Sequence, residues 1–119
     1  MEANESTWFL RLTMDLFRDK DLKGLKNDGI LLYAYMQNRI ELTSFVDENG
    51  EKYIIVTEKS ADKFLRIKRV KFYALKKQLR DLGLIRYDEQ EVKRGGNSTP
   101  IYVVPYEHWK IQKKSCSNN

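Results

Sequence analysis

The run "ILLYAYM", Ile30 to Met36, turns apolar side chains in every direction of a helix. A helix apolar all round has to be enclosed on more than one side, so the rest of a 119-residue chain must be arranged around it. The surrounding segment, "LKGLKNDGILLYAYMQNRIEL", reads as a helix from about Asn27 to Leu42, with Asn27 as its N-cap. Gly29 weakens its first turn by roughly 1 kcal/mol. Such a helix is the centre of a core, or a core helix that also packs against a second copy of the chain.

The other segments are short and follow in a definite order. "TMDLF", Thr13 to Phe17, has the length of one helical turn. "FVDENGEKYIIV", Phe45 to Val56, holds two strand-like pieces around Asn49-Gly50, the pair preferred in a two-residue hairpin turn. Thr57 is placed to cap a short helix over "EKSADKFL". A turn at about Arg66 to Lys68 then leads into "RVKFYALKKQLRDL", which Gly83 stops. "LIRYD" and "IYVVPY" have strand character and flank the polar loop "EQEVKRGGNST". Two consecutive helices followed by a hairpin predict an α+β fold, a winged helix-turn-helix with an additional hairpin between the first long helix and the helix-turn-helix. The expected organisation is one domain over residues 1–110, with a polar flexible tail over 111–119.

Charge is concentrated in one place. The formal net charge is +5. "RIKRVKFYALKKQLR", Arg66 to Arg80, holds seven Lys or Arg and no acid, so the remainder of the chain is slightly acidic. At about 100° per residue, Phe72, Leu75, Leu79 and Leu82 share a core-facing side. Arg69, Tyr73, Lys76, Lys77 and Arg80 share another side, centred about 130° away. Like charges at i,i+3 and i,i+4 cost a helix roughly 1 kcal/mol in sum here, a cost that a polyanion would remove. Lys93 and Arg94 stand beside Gly95-Gly96 at the expected tip of the wing, where backbone can approach a phosphate closely. Arg69 and Tyr73, early on the helix, are expected to meet base edges of duplex DNA. Lys76, Lys77 and Arg80 are expected to meet phosphate. Neutralising about five phosphates gives a slope of log K against log salt of about −4 to −5.

Other classes fit less well. With one Cys and one His the chain has no metal set, Cys116 alone allows no disulfide framework within the chain, and His108 has no evident paired nucleophile. No phosphate-cradling glycine loop is present, so neither an enzyme nor a cofactor is expected. The acidic N-terminus is unlike a signal peptide, and the longest apolar run is too short for a bilayer, which predicts a cytoplasmic protein. A basic amphipathic helix on anionic membrane would draw Phe72, Leu75, Leu79 and Leu82 out of the core. RNA binding would call for several stacking aromatics, and only Tyr73 is so placed.

From about Phe9 to Val104 the chain resembles the N-terminal domain of plasmid replication initiators of the RepA type from Gram-positive bacteria. The resemblance rests on "FLRLTMDLF", "KGLKNDGILLYAYMQNRIEL", "DENGEKYII" and "LKKQLRDLGLI". It implies a winged-helix homodimer on repeated origin sites. Carried over position by position, the recognition-helix residues are Lys68, Arg69, Lys71, Tyr73, Lys76 and Lys77. The chain departs from the family pattern at Thr13-Met14, Lys26 and Gly29. Family initiators carry a further domain that engages host replication proteins. A chain of this length is expected to be an initiator's DNA-binding domain, or a stand-alone relative serving transfer or transcription.

Overall fold

The computed structural model of the chain describes residues 10–88 and 99–117. In order, the elements are α1 (Asp15–Arg18), a 3-10 turn (Lys20–Leu22), α2 (Asn27–Leu42), α3 (Glu58–Leu65), α4 (Arg69–Leu82), β1 (Ile85–Arg86), β2 (Tyr102–Val103) and α5 (Tyr106–Ser117).

α2 is the enclosed helix. Ile30, Leu32, Tyr33, Ala34, Tyr35 and Met36 are all buried, against α1, α3, α4 and β2. Within the run only Leu31 is partly exposed, so the chain itself covers most of the apolar circumference. The fully buried Tyr33 satisfies its hydroxyl by donating to the Val104 carbonyl at 2.6 Å, and its burial pushes the phenol well above its ordinary pKa. The cap of α2 falls one residue earlier than Asn27. Lys26 occupies it in extended conformation without a side-chain hydrogen bond. Gly29 has a packing reason. A Cβ there would lie 2.3 Å from Leu25 Cδ1 and 3.3 Å from Leu75 Cδ2, so the missing side chain lets the preceding loop and α4 close onto α2.

The hairpin before α3 is present in a different form. Val46 bridges Lys52, and the Asp47 amide donates to the Glu51 carbonyl at 2.9 Å. Gly50, with φ of 84°, is the only residue of this turn with positive φ. The turn therefore has three residues, Glu48 to Gly50, in place of the expected two. Asp47 selects it, because its carboxylate accepts from the Asn49 and Glu51 amides and organises the chain before Asn49 can turn left-handed. Further along, Ile54 and Ile101 exchange backbone hydrogen bonds of 2.9 and 2.8 Å, which join the hairpin segment to the small sheet. In that sheet β1 and β2 run antiparallel, Ile85 opposite Val103 and Arg86 opposite Tyr102.

Thr57 and Ser60 form a reciprocal capping box at the start of α3. α3 ends on Arg66, a non-glycine residue in left-handed conformation at φ of 57°, and Ile67 is then buried. α4 begins two residues later and ends at Gly83, φ 86°, with the Gly83 and Leu84 amides returning to the Arg80 and Leu79 carbonyls. The expected polar tail from residue 111 is helical as far as Ser117. α5 is anchored by Trp109, whose indole N–H donates to the Leu82 carbonyl at 2.7 Å and so caps α4 from outside.

Candidate nucleic-acid interface

α4 presents three kinds of side. Phe72, Leu75 and Leu79 enter the core. On one flank stand Arg69, Tyr73 and Arg80, on the other Lys71 and Gln78. Between the flanks, opposite the core, runs the row Val70, Ala74, Lys77 and Asp81, all exposed. Val70 is 83% exposed. The outermost row therefore lies further round the helix than the cationic side expected from the sequence. The reason is packing: the Arg69 side meets α3, and the Arg80 side meets the chain after β1.

Each cation has a definite surrounding. Arg69 Nε lies 3.6 Å from Glu58 of α3. Tyr73 is half-buried, and burial raises its hydroxyl pKa, with a hydrogen bond to Glu58 adding to the effect. Lys68 pairs with Asp62 at 2.9 Å, Lys71 with Asp28 at 2.5 Å, and Lys77 with Asp81 at 3.6 Å. Arg80 stacks its guanidinium over the Tyr87 ring, 5.3 Å from the centroid.

Lys76 corrects the sequence expectation. It does not project with the others; it is 6% exposed. Its ammonium sits over Tyr87 at 4.7 Å and Phe72 at 5.8 Å, and burial lowers its pKa. A side chain turned onto two rings beneath the surface does not reach a phosphate from this position. Lys93 and Arg94 lie outside the described residues.

The cost of like charges on α4 also looks different in the fold. Asp28, Glu58 and Asp62 arrive from α2 and α3, so neighbouring elements supply acids to the part of the helix before Asp81, which has none of its own. The cations of these pairs are mostly exposed and the acids about a third to a half exposed, and solvent-exposed pairs are worth roughly 0–1 kcal/mol. Such pairs neutralise the cations in isolation and yield readily to a stronger anion. Sequence inspection also passed over Val70 and Ala74. Their signal was there, since both are uncharged at i,i+4 inside a basic run, spaced with Lys77 along one line.

These elements define a small α+β domain built on a buried helix, with a basic helix whose outer row no described element covers. The chain belongs to the RepA_N family, the N-terminus of replication initiator protein A, whose model matches residues 8–116. No curated protein matches the chain. Among solved structures, one described as "Structure of Rep-DNA complex" is 27% identical, with a TM-score of 0.65 over 98% of this chain and 91% of that one. "Structure of MDR initiator" is 21% identical, with a TM-score of 0.66 over 100% and 97%. "N-Terminal domain of DNA binding protein" is 23% identical, with a TM-score of 0.64 over 97% and 90%. The last two likenesses concern the fold.

Proposed function

We propose that the chain is a sequence-specific duplex-DNA-binding domain of a plasmid or other mobile element, with an origin of replication as its first site. The observation that carries this is the outer row of α4, uncovered by any described element and flanked by cations on both sides. In this reading α3, the Arg66 turn and α4 form a helix-turn-helix, and β1 and β2 are the stem of a wing. A major groove admits one helix, so the Val70 and Ala74 end of the outer row faces the groove floor, and Lys77, further along the row, reaches toward the backbone. Val70 and Ala74 suit contact with thymine methyls, and Arg69 suits a guanine edge. Lys68, Lys71, Lys77 and Arg80 suit phosphates, as do Lys93 and Arg94 by their place in the sequence between the two strands. Membership of an initiator family and the likeness to a structure described as a Rep-DNA complex support this reading. The domain works by binding rather than by catalysis, in the cytoplasm, as a homodimer on paired sites. A transfer origin or an operator is served by the same chemistry, and association with other replication or transfer proteins would then follow from the locus.

Footprinting over the element that encodes the chain tests the process: protection is expected at the replication origin. Protection confined to a promoter or a transfer origin would reassign it. At the protected site, Arg69→Ala should reduce the ratio of specific to random-duplex affinity by about tenfold or more. Lys77→Ala should weaken both by similar factors. Equal losses on both duplexes for the two variants would refute the division of roles.

A further inference from the structure

The segment between the 3-10 turn and α2 runs along one flank of α4. Gln78 Nε2 donates to the Gly24 carbonyl at 3.0 Å, and Lys71 holds Asp28 at 2.5 Å. Between these two ties, Gly29 lets the start of α2 close against Leu25 and Leu75. Residues 24 to 28 therefore lie antiparallel to the row Lys71, Leu75 and Gln78. This is the flank away from Tyr87 and β1.

The acids on either side of this segment are all engaged elsewhere. Asp19 and Asp21 bind Lys110 of α5, at 3.1 and 3.2 Å, and Asp28 binds Lys71. Lys23 and Lys26 are exposed and make no ion pair among the described residues. On α4 and its N-cap, by contrast, Lys68, Arg69, Lys71 and Lys77 each have an acid within 4 Å. On the flank of α4 that carries Lys71 and Gln78, the positive charge without an ion pair among the described residues thus belongs to Lys23 and Lys26.

Resting on the DNA-binding reading above, we propose that Lys23 and Lys26 form a second phosphate-binding strip, which grips the strand across the groove from the wing. A helix lying in a major groove has a sugar-phosphate strand on either side. β1, β2 and Arg80 stand on one side, and Lys23 and Lys26 on the other. Because the strip touches backbone only, it adds affinity to any sequence alike.

The test is binding to a mixed-sequence duplex of about 30 base pairs, measured across a salt series. The double variant K23Q/K26Q is expected to flatten the slope of log K against log salt by about 2, and to lower affinity on the order of tenfold at fixed low salt. K23R/K26R should keep the parent slope. Lys52→Gln, on the hairpin, controls for a general loss of charge and should flatten the slope less than either single variant, Lys23→Gln or Lys26→Gln. A parent-like slope and affinity for K23Q/K26Q overturn this strip while leaving the DNA reading intact. Failure of the parent to bind duplex DNA at any salt overturns both.

Discussion

Lys76 shows what a single residue loses by being placed on a helix without its neighbours. Its position on the wheel is cationic, yet the Tyr87 and Phe72 rings cover it. A buried ammonium without an acid is costly, and two ring faces offset only part of that cost. Lys76→Met should fill the same space without desolvating a charge, and should leave the protein between zero and about 1 kcal/mol more stable, as read by chemical denaturation. Its random-duplex affinity should stay within about twofold of the parent, where one lost phosphate contact lowers log K through the salt slope. A phosphate-like loss for Lys76→Met would mean that the side chain swings out to DNA. The sequence showed which residues of this stretch were charged. It did not show Tyr87 folding back over two of them, because the contact depends on the path of the chain after β1.

Among the elements, local chemistry and packing disagree most at Gly29. Helix propensity favours Ala there by about 1 kcal/mol. The space does not, since Leu25 is 5% exposed and cannot move aside freely from a new Cβ. Overpacking of this kind costs about 1–3 kcal/mol, so Gly29→Ala should destabilise the fold by about 1 kcal/mol net. A rise in melting temperature would show instead that Leu25 repacks. The cap of α3 at Thr57 and the stop of α4 at Gly83 were both readable, because they act on backbone groups only a few residues away, whereas the reciprocal bond from Ser60 came with the structure. The hairpin was readable as a hairpin but not in its length, since the Asp47 carboxylate competes with the Asn49-Gly50 preference. α5 was not readable at all. Among its described side chains Trp109 alone is buried, which leaves no apolar period in the sequence to announce a helix.

Across the whole molecule, the first and last segments are joined at Asp19. Its side chain is 3% exposed and accepts from Tyr106 at 2.5 Å, from the Asp21 amide at 2.8 Å and from Lys110. Burial alone would raise its pKa, but the bonds from Tyr106, the Asp21 amide and Lys110 outweigh burial and hold it below 3.8. A carboxyl depressed on folding contributes stability that is fully present above its unfolded pKa and is lost as pH falls through the folded value. Asp19→Asn should therefore cost about 1–3 kcal/mol at neutral pH. The gap between variant and parent should close in acid, below pH 3.8, as the parent carboxyl protonates. A gap that persists unchanged to strongly acid pH would assign the loss to packing rather than charge.

By itself the sequence determined what is decided within a few residues along the chain. That includes the enclosure demanded by Ile30 to Met36, the cap at Thr57, the stop at Gly83, and a helix from Arg69 with one apolar side. It also carried the motifs of the initiator family. Only the tertiary structure decided which cations face outward, which acids sit beside them, and that residues 24 to 28 lie along α4. The pairs that settle these points are distant in sequence, as Asp28 is from Lys71 and Asp19 from Lys110. Coulombic and packing contacts of that kind exist only once α2 has been enclosed. No local propensity specifies them.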